Sequence, residues 1–237
     1  MLERQNFPEM AKDTTTRKLY DRIADVHNVT LRMSGYRKSV AKYIRSLDLE
    51  LGAEPMVLDA GCGTGILTLS LVSAGVQNAT VVSLDLSMKS LEVAREQYQK
   101  DKFIEIDKTY PVQGDITRFP FADNTFDLLL TSGALEYVPL DNGLREMARV
   151  LKPGGHLVLI PVKPSVVGSV LEVLYKFKSH KIEDVKRVAL RYFSIVGNYD
   201  FPPVEPIGWS KKIFLLEKKK AENVPHKNGN ASHFAAI

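Results

Sequence analysis

An α/β fold built on a parallel sheet is what this sequence predicts, and three observations carry the prediction. Short apolar or β-branched runs at 56–58, 80–84, 128–131 and 156–160 alternate with stretches whose apolar residues recur at helical spacing. The first run opens into Asp59-Ala60-Gly61-Cys62-Gly63-Thr64-Gly65, and a helical pattern starts at Ile66. Three carboxylates, Asp59, Asp85 and Asp115, fall at predicted strand ends on one side of such a sheet.

The strand, glycine turn and helix start form a ligand site by elementary means. Glycine lets the backbone turn tightly and lets a ligand approach it closely. A new helix presents unpaired N–H groups and a positive dipole end. In an open parallel sheet, ligands lie in the crevice beyond the strand ends. A nucleotide-like ligand is therefore expected across Gly61–Gly65. The dinucleotide spacing G-x-G-x-x-G would place its third glycine at Ile66, where there is none, and no Gly-Lys-Ser/Thr phosphate loop is present. A carboxylate at Asp59 would repel a pyrophosphate and suits a ligand with an ammonium or sulfonium charge.

This stretch, Val57 to Gly65, resembles the first motif of the class I S-adenosylmethionine (SAM)-dependent methyltransferases, hydrophobic-(D/E)-hydrophobic-G-x-G-x-G. The resemblance implies SAM as methyl donor and S-adenosylhomocysteine as product. It implies a Rossmann-like seven-stranded sheet of order 3-2-1-4-5-7-6, the last strand antiparallel, flanked by helices and covered by an N-terminal helical lid. Asp59, Ala60, Gly61, Cys62 and Gly63 would then border the cofactor. Asp85, about twenty residues past the glycines, ends the strand Thr80–Leu84 and can accept both ribose hydroxyls. Leu86 would pack on the adenine, and Ser87 caps the next helix, which carries Leu91, Ala94 and Tyr98.

Further phrases are similar to the same family. Val112-Gln113-Gly114-Asp115-Ile116 matches a strand followed by G-D-(A/I), which implies that Asp115 or the Ile116 N–H meets the adenine amino group. Phe119 to Asp127 matches the "lPF-ddsFD" turn, and Arg149 to Gly155 the phrase "R-x-L-K-P-G-G". The loop Ser132 to Val138 follows the buried strand 128–131, and Ser132 is expected near the methionine part of SAM. Tyr20 to Ala24, Met33-Ser34-Gly35 and Arg37-Lys38 are similar to the N-terminal segment of the quinone-biosynthesis methyltransferases, which implies a lid over the acceptor.

The expected organisation is a flexible arm at 1–16, one methyltransferase domain at 17–220 and a disordered tail at 221–237. Within the domain, 17–54 forms the lid, 55–162 the SAM-binding core, and 163–220 the C-terminal helices and an antiparallel strand pair. Leu19 to His27 and Arg37 to Leu47 read as helices, as do Ile66 to Ser73, Leu144 to Leu151 and Ser179 to Leu190. Residues 100–111, with Pro111, read as a loop, and Lys152 to Gly155 as a helix stop and tight turn. An apolar stripe runs from Val166 to Phe177, and Tyr192 to Tyr199 pairs with Ser210 to Leu216 across a Pro-rich link.

Composition narrows the class further. The chain has 237 residues, 44% hydrophobic and 25% charged, enough for one full core. Its net charge of +4 is spread out, partly over Lys211-Lys212 and Lys218-Lys219-Lys220, which read as a solvated edge. A nucleic-acid footprint would be more concentrated, so no nucleic-acid partner is expected. The single cysteine, Cys62, sits inside the glycine turn and reads as a small structural residue. No metal site is expected. No apolar run reaches the ~20 residues of a membrane span and the start does not resemble a secretory signal, so a cytoplasmic location is expected.

Methyl transfer from a sulfonium is an in-line displacement in which the donor already carries the activating charge, so positioning does most of the work. A base is needed only where the acceptor must lose a proton first. Candidates for the acceptor end are Glu136, on the ligand-side loop, and His27 and Tyr20, in the lid; Tyr36 and Tyr137 could line the pocket. His156 starts a strand at the edge away from the crevice, and His180, His226 and His233 read as solvated. The acceptor is expected to be a small, hydrophobic or aromatic molecule. A macromolecular methyltransferase is the rival, but no Asn/Asp-Pro-Pro-Tyr/Phe phrase occupies 131–134. A SAM-binding protein without methyl transfer and a nicotinamide-dependent oxidoreductase are further alternatives.

Overall fold

The computed structural model describes residues 35–47, 49–76, 78–165, 169, 172–173, 177–201 and 209–220. The expected arm, the Leu19–His27 helix with Tyr20 and His27, most of the 166–177 stripe, the Pro-rich link and the tail lie outside the described residues.

Alternation between apolar strands and amphipathic helices produces the predicted sheet. Its seven strands are β1 (Met56–Ala60), β2 (Thr80–Asp85), β3 (Thr109–Gln113), β4 (Phe126–Ser132), β5 (Leu151–Ile160), β6 (Phe193–Asp200) and β7 (Lys212–Lys218), in the order 3-2-1-4-5-7-6. Strands β1 to β5 pair in parallel, while β7 runs antiparallel to both neighbours, β5 and β6. The predicted order and the reversed last strand are both found.

The central strands are buried on both faces, which is why they read as unbroken apolar runs. Leu58, Leu84, Leu129, Leu157, Leu159 and Leu216 pack on one face beneath helices α4 (Leu140–Val150) and α5 (Ile182–Ala189). Val57, Val81, Leu128, Leu130, Val158, Ile213 and Leu215 pack on the other, beneath α1 (Tyr36–Ser46) and α2 (Ile66–Ser73). Helix α3 (Met88–Lys100) starts at Ser87, whose hydroxyl accepts the Ser90 N–H at 3.2 Å as predicted, and seats Ala94 and Tyr98 against Leu69. Arg37 joins α1 to the chain after α3 by an ion pair of 2.6 Å with Asp101 and also donates to Ser73.

Four expectations about elements are corrected. The segment 100–111 is not all loop: its last residues form β3, and Pro111 is tolerated because β3 is an edge strand. Asp59 does not follow β1 but lies within it, fully buried. Helix α4 starts four residues earlier than the apolar spacing suggested, at Leu140. The Lys152–Gly155 turn is enclosed within β5: Leu151 faces Phe126, yet His156 already faces Leu128.

Candidate active site

The parallel strands all point their carboxyl ends at one edge, so the segments after β1, β2, β3, β4 and β5 converge there. The glycine turn is held to β2 by two N–H groups, of Gly61 and Cys62, which both donate to the Leu84 carbonyl at 2.8 and 2.9 Å. Gly65 has φ +84°, and a Cβ there would stand 2.4 Å from the Tyr98 ring. Only glycine fits both demands. Gly63 also has positive φ, but a Cβ there would meet nothing within 4 Å, so the loop presents an open face at that point.

Asp85 closes the turn from the other side. One carboxylate oxygen accepts the Gly63 N–H at 2.8 Å and the other the Ser87 N–H at 2.9 Å. Burial pushes its carboxyl above the ordinary range, and these N–H groups pull it back. Each oxygen keeps a lone pair beyond these bonds. Leu86 beside it is 67% exposed, an apolar side chain left open at the crevice. Gln113 donates to the Leu86 carbonyl at 3.0 Å and fixes that segment against β3.

Asp59 is pinned from α2: its Oδ2 accepts both the Thr68 N–H at 3.1 Å and the Thr68 hydroxyl at 2.7 Å. Thr68 continues to Ser83 at 3.2 Å and Ser83 to Tyr98 at 2.9 Å, a buried polar thread beneath the glycine turn. Oδ1 of Asp59 is buried without a partner among the described residues, and desolvation raises the carboxyl to about 7. Asp115 is exposed and accepts the Thr117 N–H at 2.7 Å and its hydroxyl at 2.8 Å, which shapes a local turn after β3. Ile116 beside it is buried, as are Ala60 and Cys62. Burial drives the Cys62 thiol well above its ordinary range, so it stays protonated and fills space.

A second polar group lies at the end of β4. Ser132 Oγ is 2.9 Å from the Tyr36 hydroxyl and accepts from Lys211 Nζ at 3.0 Å. Lys211 is 3% exposed, and its ammonium lies 5.6 Å from the centre of the Tyr36 ring. It is therefore not the solvated charge its sequence neighbourhood suggested. It sits immediately before β7, bridged to Val162 after β5, and shares the face of Ile213 and Leu215. Desolvation lowers its ammonium to about 8, and the nearby Glu136 opposes this.

Glu136 is 4% exposed in the short 3-10 turn Leu135–Tyr137. Its Oε1 accepts the Val162 N–H at 2.6 Å, which ties the β4 loop to the β5 exit, while Oε2 is buried without a partner among the described residues. Burial raises its carboxyl. His180 is half-buried and bonds through Nε2 to the Leu135 carbonyl at 3.1 Å, contrary to the expected solvated role. Tyr137 packs edge-on to Phe177, and Tyr36 packs on Phe201, each pair with centres 5.5 Å apart. His156 lies in β5 opposite Glu217, at the edge away from this crevice.

Residues 58–159, from β1 to the end of β5, match the model of the methyltransferase domain family. Residues 58–159 thus match a methyltransferase domain, and SAM dependence of the class I type is what the motifs and the sheet order support. The chain is 28% identical over 165 residues to a demethylmenaquinone methyltransferase of Bacillus cereus, covering 68% of each chain. Among solved structures, it resembles a chain of the Haloferax volcanii complex containing the Trm112 methyltransferase activator. That match has TM-score 0.68 and 16% identity, covering 85% of this chain and 98% of that one. It also resembles the Streptomyces coelicolor geranyl diphosphate C-methyltransferase, crystallised with S-adenosylhomocysteine. There the TM-score is 0.61 and the identity 17%, covering 76% of this chain and 75% of that one.

Among the described residues, no helix is long and apolar enough to cross a membrane, and no group of three His, Cys, Asp or Glu is placed to hold a metal. Thr68 and Lys211 are the polar residues that sequence reasoning did not single out for this methyltransferase. For Lys211 one signal existed: it stands at the mouth of a strand whose next residues, Ile213 to Leu216, are all apolar.

Proposed function

We propose that this methyltransferase moves the sulfonium methyl of SAM to a small, hydrophobic or aromatic acceptor by in-line displacement. The observation that carries the acceptor class is the polar end of β4. Tyr36, Ser132 and Lys211 are bonded together there, with the Tyr36–Phe201 and Tyr137–Phe177 ring pairs beside the same loop. A small aromatic compound suits such walls better than an exposed macromolecular surface does. The Bacillus cereus relative is named for demethylmenaquinone and the Streptomyces coelicolor neighbour for geranyl diphosphate, neither of them a macromolecule.

SAM, when bound, supplies an electrophilic methyl on a positive sulfur. Residues Asp59 to Gly63 would line its path over the open face of Gly63. Asp85 would accept the ribose hydroxyls with its remaining lone pairs, Leu86 would cover the adenine, and Asp115 or the Ile116 N–H would meet the adenine amino group. Ser132 would border the methionine part. Glu136 is the candidate proton acceptor at the acceptor end; His27 and Tyr20 belong to the lid proposal. Location in the cytoplasm is part of the same reading.

The test pairs calorimetry with S-adenosylhomocysteine and transfer of tritiated methyl to separated cell fractions. Label in the small-molecule fraction is expected. Label only in RNA or protein would favour the macromolecular reading, which the resemblance to the Trm112-containing complex supports. Binding without any labelled product would leave a SAM-binding protein. Removal of residues 1–34 is expected to lower methyl transfer by about tenfold or more with little change in melting temperature. Equal loss of both would count against the lid.

A further inference from the structure

The polar group at the end of β4 has hydrogens to spare. Lys211 carries three N–H and accepts nothing. One N–H serves Ser132 Oγ at 3.0 Å, and the ammonium faces the Tyr36 ring. Tyr36 and Ser132 share one bond of 2.9 Å, so whichever hydroxyl donates, the other keeps a hydrogen without an acceptor among the described residues. At least one N–H of Lys211 is in the same position. Such donors, with Tyr36 and Lys211 almost wholly removed from water, are costly to hold without an acceptor. Ser132 is only half-buried, which leaves the group a side open to the crevice.

The charged groups that face it are one cation, Lys211, and two carboxyls, Glu136 and Asp59. Glu136 comes from the 3-10 turn after β4, with Oε2 unpartnered among the described residues, and no ion pair joins it directly to Lys211. Tyr36, from α1, has its hydroxyl held protonated by burial, by Asp59 of β1 and by Glu136, so it serves as a donor. His180 reaches Glu136 through its charge and not Lys211. Lys211 is thus the cation in this group, placed by its bond to Ser132 and its position over the Tyr36 ring.

We propose that Lys211, with Ser132 and Tyr36, receives the acidic hydroxyl of the methyl acceptor and holds it as an oxyanion, so that the acceptors are phenols or enols. This rests on the SAM-dependent reading above and names the acceptor class for the same site. The hydroxyl proton leaves to bulk water, and the Lys211 ammonium donates a hydrogen bond to the new oxyanion. The electron pair released on oxygen, or on the carbon conjugated with it, forms the bond to the methyl carbon. The carbon–sulfur bond breaks with its pair on sulfur, which loses its positive charge.

The probe is 4-nitrophenol, whose ionised form absorbs near 400 nm, added to the full chain saturated with S-adenosylhomocysteine. Bound to the wild-type protein, its apparent pKa is expected to fall by about one unit or more, as an adjacent buried cation dictates. Lys211→Met should abolish that shift. Lys211→Arg, a permanent cation, should keep the shift in the probe, and loss of the shift in that variant despite intact S-adenosylhomocysteine binding would count against the charge as its cause. Calorimetry with S-adenosylhomocysteine on the same samples reports folding and cofactor binding separately. A probe that stays neutral on the cofactor-saturated wild-type protein, or ionises equally on Lys211→Met, overturns the proposal alone. Failure of S-adenosylhomocysteine to bind wild-type protein overturns the reading beneath it as well.

Discussion

The proposed role of Asp85 can be tested by a single substitution. Its oxygens hold the Gly63 and Ser87 N–H groups and keep lone pairs that, in the proposed reading, would accept the ribose hydroxyls. Asp85→Ala is expected to raise the dissociation constant for S-adenosylhomocysteine about 10- to 100-fold, the worth of one or two charge-assisted hydrogen bonds. Unchanged affinity by calorimetry would remove the ribose role. The two glycines beside it should behave differently. Gly65→Ala forces a Cβ into the Tyr98 ring at positive φ, and should cost about 2–4 kcal/mol and some 5–10 °C of melting temperature. Gly63→Ala meets no atom within 4 Å and should cost only about 1 kcal/mol of stability, while weakening cofactor binding about tenfold or more because its Cβ enters the open face of the loop. The reverse ranking would mean that the ligand lies elsewhere.

At the scale of elements, Arg149 near the end of α4 fastens the turn that leads into β4. Its guanidinium donates to Glu146 at 2.8 Å, to the Phe119 and Phe121 carbonyls at 3.1 and 2.8 Å, and to Asp123 at 2.8 Å. Glu146 also accepts the Phe119 N–H at 3.1 Å. The family phrases Phe119–Asp127 and Arg149–Gly155 are therefore two halves of one joint, although nothing in their separate spacings says so. Arg149→Gln should cost about 1–2 kcal/mol, discounted for its partial exposure, and should couple to Glu146→Gln in a thermal double-mutant cycle. Strict additivity would dissolve the joint.

The sequence-to-structure gap has the same origin. Strands β1, β2, β4 and β5 were readable because a strand buried on both faces needs an unbroken apolar run, and the turn at Gly61–Gly65 because its geometry excludes other residues. Strand β3 was misplaced because an edge strand can hold Pro111 and polar residues. Lys211 was read as solvent-facing because its burial depends on β7 reversing beside β5, a relation between residues some fifty positions apart. The roles of Tyr20 and His27 fall on residues outside the described ones.

Across the whole molecule, Asp59 makes stability depend on pH. Its carboxyl is raised to about 7 by burial, against an unfolded value near 4, so the folded protein binds the proton more tightly. Its stabilising contribution is complete below about pH 4 and is lost as pH rises through about 7. Between those limits, wild-type stability in urea should fall relative to Asp59→Asn by a few kcal/mol. Parallel curves for the two proteins would show that Asp59 titrates normally.

Reversal of β7 also has a consequence for biosynthesis. The ribosome delivers the glycine turn, Asp85 and Ser132 long before Lys211, at about 5–20 residues per second. A nascent chain stopped short of residue 209 would hold the glycine turn with no cation opposite Ser132, and the apolar flank of β5 would stand bare as an edge ready for mispairing. Completion of the C-terminal pair would then finish the sheet and bring Lys211 to Ser132 in one step.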